Sequence, residues 1–173
     1  LQRIDEAKAS LRRDGLAFDE GIPIGGMIEV PAAALAANFF AEQLDFLSIG
    51  TNDLMQYFFA ADRGNPRVSE RYDLLSPSAL IFLKHVRDGA AAAGLPISIC
   101  GEAAGRTLEA MTLIALGFDR LSMPASGIGP VKRMVRSMDW AHAARFVEEA
   151  TRAPVSSIRQ ELLTFAQREG VML

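Results

Sequence analysis

The sequence predicts an α/β fold in which four β/α units form a parallel sheet, because short apolar runs alternate with longer helical stretches. Four units correspond to half of a (β/α)8 barrel, a fold of about 250 residues. The alternative is an open doubly wound sheet, whose nucleotide-binding form has a G-x-G-x-x-G turn after its first strand. This chain carries Glu-Val-Pro-Ala at 29–32 instead, so the pattern favours part of a barrel.

The four predicted strands are apolar runs of four to seven residues, each followed by turn or helix signals. They span residues 24–30, 46–49, 97–100 and 120–123. Helical spacing of apolar residues, with glycine and proline as end signals, predicts the helices between and after them. These helices span residues 32–43, 54–61, 78–93, 107–116, 131–138, 140–151 and 155–169, and residues 62–77 form a turn-rich stretch. Another helical pattern opens the chain without an initiator methionine, which indicates a piece of a longer protein.

Composition narrows the class of protein. Half of the 173 residues are hydrophobic, 23% are charged and the net charge is −3, which is typical of a globular domain and gives no basic surface for nucleic acid. A single cysteine excludes an internal disulfide, and no apolar stretch reaches the roughly 20 residues of a membrane span. We therefore expect a cytoplasmic protein without membrane insertion and without a nucleic-acid partner.

Polar residues at the ends of the predicted strands are the candidates for chemistry, because ligands of parallel α/β folds bind at the carboxyl edge of the sheet. Glu29 and Asp53 follow consecutive strands, where two carboxylates could share Mg²⁺, which takes one or two protein carboxylates and completes its shell with water and phosphate. Taken singly, each of these two carboxylates could be only a helix cap, and the same holds for Asn52. Their occurrence together favours a metal site.

Two further residues have competing explanations. Cys100 ends the third strand, where a thiol could exchange a proton with a carbon, although a lone cysteine is often a small buried hydrophobe. Arg63, in the loop Asp-Arg-Gly-Asn at 62–65, could present its guanidinium to a phosphate, although surface arginines are mostly solvated charges.

Longer strings carry a specific resemblance. The chain contains GGMIEVPAAALAANFFAEQLDFLSIGTNDLMQYFFAADRGNPRV, then LSPSAL, ISICGEAAG and GFDRLSMPASGIGPVK, in this order. These blocks, at about 22–136, resemble the C-terminal phosphoenolpyruvate (PEP)-binding domain of Enzyme I of the bacterial phosphotransferase system. The resemblance implies that residues 1–173 form one partial domain, the C-terminal part (about four β/α units) of a (β/α)8 TIM barrel, with C-terminal helices at 139–170.

The resemblance also implies roles for individual residues. By position, Glu29 and Asp53 match the Mg²⁺ ligands, Asn52 and Asp53 lie in the PEP site, and Arg63 matches the arginine that holds the substrate. Cys100 matches the acid–base residue that protonates the enolate carbon to give pyruvate. The family transfers phosphate from PEP to its own histidine and then to a histidine phosphocarrier protein, acting as a homodimer, and that histidine is absent from this chain.

Alternatives exist for the branch of the family to which the chain is similar and for its function. Arg106 stands where sugar-transport members more often have an acidic residue, and the string ERYDLLSP is similar to the nitrogen-related paralogue, which we therefore favour. Pyruvate phosphate dikinase and PEP synthase share the site logic, and a magnesium-dependent aldolase or lyase on the same fold is a less favoured alternative. A non-catalytic dimerisation or regulatory module is the alternative from another class. We expect this chain, when isolated, to be inactive and to bind PEP weakly or not at all.

Overall fold

A four-stranded parallel sheet forms the centre of the computed structural model, which describes residues 1–69 and 72–173. The strands are β1 (Gly25–Ile28), β2 (Phe46–Gly50), β3 (Ile97–Cys100) and β4 (Leu121–Ser122), paired in the order β1-β2-β3-β4. Every pair is parallel. The predicted parallel sheet of four β/α units is thus confirmed.

Helices connect the strands and continue after β4. They are α1 (Gln2–Arg13), α2 (Pro31–Leu35), α3 (Thr51–Phe58), α4 (Pro66–Ser69), α5 (Pro77–Ala92), α6 (Thr107–Ala115), α7 (Ala125–Ser137), α8 (Trp140–Ala150) and α9 (Arg159–Glu169). Two 3₁₀ helices, Ala37–Glu42 and Glu102–Gly105, follow α2 and β3. None of these helices combines the length and the apolar character needed to cross a membrane, as far as the described residues extend.

The sheet is buried on one face only. Leu47 and Ile49 of β2 are fully buried in a core shared with Leu83 of α5 and with other helices. Residues that alternate with them point to the opposite face, where Met27 is 53% and Phe46 38% exposed. This one-sided burial is the arrangement that a segment of barrel has, since the outer face of a barrel carries the helices and the inner face closes on the other strands.

Helix α7 begins at Ala125, so the predicted start at residue 131 is wrong. Two glycines and a proline suggested a loop there, yet the helix continues through Pro130. The reason is a close approach of two backbones: a Cβ atom built on Gly127 would lie 3.0 Å from Gly105 Cα and 3.1 Å from Gly105 O. Tertiary packing against the 3₁₀ helix Glu102–Gly105 therefore outweighs the local signals.

Other predicted boundaries also differ. Helix α9 begins four residues later than expected because the N–H of Ile158 donates to Leu75 O at 2.9 Å instead of joining a helix. The helix expected at 32–43 changes from α to 3₁₀ at Ala36. The turn-rich stretch contains α4 and part of it, residues 70–71, lies outside the described residues. Strands β1 and β4 are shorter than predicted.

Exchange of Gly127 for alanine tests the close approach of the two backbones. We expect Gly127→Ala to lower the free energy of unfolding by about 1–3 kcal/mol, because backbone atoms must move to admit the methyl group. Gly89→Ala is the control in α5, where an added Cβ meets no atom within 4 Å and no proline follows in the helix. There alanine should stabilise by about 0.5–1 kcal/mol. Urea denaturation measures the free energy of unfolding of both variants. The packing explanation would be contradicted if Gly127→Ala stabilised the protein as the control does.

Candidate functional site

The strand register brings the predicted site residues to one edge of the sheet. Gly50 pairs with Cys100, and Ile28 pairs with Ile49, so that Glu29 comes next to Gly50. A Cβ atom built on Gly50 would lie 2.9 Å from Glu29 Oε1. The Glu29 carboxylate therefore lies over the glycine backbone that separates it from Cys100.

The turn after β3 is fixed from α3. Thr51, which is buried, donates its hydroxyl to the carbonyl oxygen of Cys100 at 3.0 Å. Gly101 follows with φ +123°, a conformation that favours glycine, and a Cβ there would collide with Thr51 Oγ1. Asn52 Oδ1 is the next neighbour of that position, at 3.3 Å. Thr51 and Gly101 thus hold Asn52 and Cys100 beside each other.

Asp53 and Arg63 form a loose ion pair. Arg63 Nη2 lies 3.6 Å from Asp53 Oδ1, and both side chains are more than two-fifths exposed. The backbone N–H of Arg63 donates to Gln56 Oε1 at 3.1 Å, which turns the loop back toward α3. Because exposed pairs of this kind contribute little free energy, the guanidinium can exchange Asp53 for an anionic ligand at small cost.

The Cys100 thiol is half-buried on the open face of the sheet. Its nearest polar contact is with the thioether of Met27, Sγ to Sδ at 3.6 Å. Strand β4 contributes Ser122, which pairs with Cys100 in register. The thiol is therefore neither sealed in the core nor engaged by a charged group in the described part of the chain.

A cavity of about 490 Å³ lies beside these residues. Among the predicted site residues, Asn52 and Arg63 line it, whereas Glu29, Asp53 and Cys100 do not. Its other charged lining residues are Asp73, Glu102, Arg106, Glu109 and Arg159. The structure thus places the candidate residues at one edge but distributes them between the cavity and the open sheet face.

A charged network forms one wall of the cavity. Arg159 of α9 donates to both carboxylate oxygens of Asp73, at 2.8 and 2.9 Å, and to Glu109 Oε1 at 2.9 Å. Burial raises the pKa of Asp73, but hydrogen bonds from Arg159, from the Leu75 N–H and from Ser157 hold that pKa below its ordinary value. The network joins α9 and α6 to the end of the loop that contains Arg63.

Most residues of this wall have no local sequence pattern that marks them as site residues. Thr51 adjoins the Asn-Asp pair and could have been recognised as a buried strand-end hydroxyl. Asp73 and Glu109 gave no signal, because isolated acidic residues in a loop and a helix are usually solvated. Arg159 comes from a helix far along the chain, so only the tertiary fold brings it to the site.

The donor atoms at the sheet edge fit Mg²⁺. Within residues 1–69 and 72–173, no three His, Cys, Asp or Glu side chains are grouped as a metal cluster. Mg²⁺ does not require one, since it commonly binds one or two protein carboxylates together with water and substrate phosphate. Glu29 and Asp53 supply two hard oxygen donors after consecutive strands. The donor chemistry therefore agrees with the predicted cation.

Comparison with known families identifies the domain. The model of the family "PEP-utilising enzyme, PEP-binding domain" matches residues 1–140. The chain belongs to this family. The predicted resemblance to a PEP-binding domain is thereby confirmed, while the assignment to the nitrogen-related branch stays a prediction.

Curated relatives of this PEP-binding domain are named phosphoenolpyruvate-protein phosphotransferase. The Haemophilus influenzae protein is 38% identical over 160 residues, which is 92% of this chain and 28% of the relative. The Geobacillus stearothermophilus protein is 40% identical over 163 residues, 94% of this chain and 28% of the relative. The Listeria monocytogenes protein is 43% identical over 147 residues, 85% of this chain and 26% of the relative. The chain spans little more than a quarter of these relatives.

The charged network predicts a pH dependence of stability. Because the pKa of folded Asp73 lies below its ordinary value of 3.8, the unfolded chain binds more protons there, and stability rises with pH in that range. The contribution should be fully present above about pH 4 and lost as the pH falls through the lower, folded pKa. We expect Asp73→Asn to reduce the slope of unfolding free energy against pH below about pH 4.

Urea denaturation at several pH values measures this slope. Asp119→Asn is the control, since Asp119 lies at an exposed position outside the network. An unchanged slope in Asp73→Asn would show that the carboxylate titrates alike in both states.

Proposed function

We propose that this chain forms part of the PEP site of a phosphoenolpyruvate-protein phosphotransferase. The observation that carries the proposal is the convergence of Glu29, Asn52 and Cys100 around Gly50 and Gly101, in a chain of the PEP-binding family. In the proposed reaction, PEP gives its phosphate to an enzyme histidine and then to a histidine phosphocarrier protein, and pyruvate leaves. We further propose that the protein is a cytoplasmic homodimer of the nitrogen-related branch.

Asn52 and Arg63 would bind and orient PEP. Both line the cavity, and a guanidinium can donate two parallel hydrogen bonds to phosphate or carboxylate oxygens. Phosphoryl transfer depends mainly on positioning and on neutralising the charge of the phosphate. The weak contact with Asp53 leaves Arg63 able to supply that neutralisation.

Glu29 and Asp53 would hold Mg²⁺ together with the oxygens of PEP. When bound, this cation neutralises charge on the phosphate and the enolate. The carboxylate of Glu29 reaches the site over Gly50, where any larger side chain would meet it. Asp53 lies in the first turn of α3, beside Asn52.

Cys100 would be the proton donor to the enolate carbon of departing pyruvate. The S–H bond breaks, the enolate electron pair forms the new C–H bond, and the thiolate takes its proton back from solvent. A thiol carries a proton that it can release to carbon, so Cys100 can act as this acid. In the reverse direction the thiolate removes a proton from the methyl group of pyruvate.

Exchange of Cys100 tests its role in the complete product of the gene. We expect Cys100→Ala to slow solvent-proton exchange into the pyruvate methyl group, measured by NMR in deuterium oxide, by about 100-fold or more. The dissociation constant of PEP should change less than about threefold, because the thiol is not a charged ligand of the phosphate. Met27→Leu is the control, since it removes the sulfur neighbour of Cys100 and keeps an apolar side chain. Undiminished exchange in Cys100→Ala would exclude the thiol as donor.

Exchange of Glu29 tests the cation site. In the same protein, we expect Glu29→Gln to raise the Mg²⁺ concentration for half-maximal PEP binding by about tenfold or more. Replacing a metal ligand should weaken metal binding at least as much as replacing a residue that supports the ligand. Isothermal titration at several Mg²⁺ concentrations measures this shift. Glu42→Gln, at an exposed position before β2, should leave the concentration unchanged. Equal Mg²⁺ dependence in both variants would contradict the assignment of Glu29.

A further inference from the structure

We propose that Arg159 is a positioning residue that holds the loop containing Arg63 against the candidate PEP cavity. We call residues 59–76 the Arg63 loop; of these, 59–69 and 72–76 are described. Arg159 lies outside the residues matched by the family model. The inference deepens the proposed function and rests on it for the identity of the ligand.

Arg159 grips one end of the Arg63 loop with paired hydrogen bonds. Its Nε donates to Asp73 Oδ2 at 2.9 Å and its Nη2 to Asp73 Oδ1 at 2.8 Å. Two parallel bonds fix the orientation of the carboxylate as well as its distance, which a lysine ammonium cannot do. The loop end is therefore held in one geometry.

The residues around Arg159 strengthen this grip. Ser157 Oγ donates to Asp73 Oδ2 at 2.8 Å, and the Leu75 N–H donates to Asp73 Oδ1 at 3.0 Å. In addition, the Ile158 N–H donates to the carbonyl oxygen of Leu75 at 2.9 Å. Three successive residues before and at the start of α9 thus bind the same short segment of the Arg63 loop.

Glu109 fixes Arg159 itself. The Glu109 side chain is only 4% exposed, and it accepts from Arg159 Nη2 at 2.9 Å. Arg106 also approaches Glu109, at 3.7 Å, but its side chain is 61% exposed and the contact is loose. A buried carboxylate needs a close cation, so Arg159 is held from α6 while it holds Asp73.

An aromatic contact connects the end of the loop that contains Asp73 to its other end. Tyr72, directly before Asp73, stacks on Phe59 with ring centroids 5.3 Å apart and planes 17° apart. Phe59 directly follows α3, whose Gln56 accepts the backbone N–H of Arg63. The two ends of the Arg63 loop are therefore joined at its base.

The position of Arg159 indicates support of the site more than contact with substrate. Its guanidinium already donates to two carboxylates, so its charge is compensated. It nevertheless lines the same cavity as Arg63 and Asn52. Losing its contacts would release the wall that carries Asp73 and allow Arg63 to leave its place.

Hydrogen exchange of the complete gene product tests the anchoring without any ligand. In Arg159→Met and Arg159→Lys, we expect amides of the Arg63 loop to exchange about tenfold faster or more, while amides of α5 keep their rates. Asp73→Ala should give the same result while leaving Glu109 paired with Arg159, so it serves if Arg159→Met does not fold. Arg152→Met is the matched control, because Arg152 forms an exposed pair with Glu148 at 3.1 Å.

Steady-state kinetics with PEP tests the consequence for the site. We expect Arg159→Lys and Asp73→Ala to raise KM for PEP about fivefold or more with kcat changed less than about twofold, since an arginine that binds the substrate is misplaced. Unchanged loop exchange in Arg159→Met and Asp73→Ala would overturn the proposal. Uniformly faster exchange throughout the chain would also overturn it, because it would show general stabilisation instead of anchoring.

The two proposals fail in different ways. If the unmodified gene product neither binds PEP nor turns it over, the proposed function is wrong, and the exchange measurements alone decide whether Arg159 anchors the loop. If PEP is bound and loop exchange rises while KM stays constant, Arg159 anchors the loop but does not position Arg63 for substrate, which overturns the inference.

Discussion

The register between β2 and β3 determines how Asn52 and Cys100 of the candidate site lie relative to each other. Gly50 pairs with Cys100, and the residues that follow each strand therefore leave the sheet at the same level. Side chains alternate along a strand, so a slip of one residue would turn Cys100 toward the helices and Ile99 toward the open face. The full burial of Ile99 and Ile49 prevents that slip, since both would lose their place in the core.

Burial on one face explains why polar and reactive groups collect on the other. Leu47, Ile49 and Ile99 point to the helices, while Ser48, Ser98 and Cys100 alternate with them. Burial of apolar side chains on the helix side stabilises the sheet, so the side chains of the opposite face can be polar. Toward the carboxyl ends of the strands, that side carries serines, the thiol, the Glu29 carboxylate and the Met27 thioether, whereas Phe46 lies at the start of β2. The chemistry of the site is thus separated from the residues that stabilise the sheet.

The sequence predicted the parts of this structure that local patterns determine. The strands from Phe46 and from Ile97 were found because each is a short apolar run between turn signals. The start of α7 was not, because it depends on a glycine of α7 meeting a glycine of another element. The strand-end residues of the site could likewise be predicted from topology, whereas the cavity beside them is formed by loops and helices that only the tertiary fold brings together.

Helix α9 matters to the site at the sheet edge because it carries the cation that pairs with a buried carboxylate of α6. Glu109 is placed in the core by the apolar face of α6, whose neighbours Leu108 and Ala110 are buried. A carboxylate there is costly unless a cation accompanies it, and helix α9 supplies that cation. The guanidinium has donors left over after this pairing, and these reach Asp73. Compensation of a buried charge on α6 therefore also connects α9 to the loop beside the cavity, so the elements after residue 140 belong to the physical support of the site.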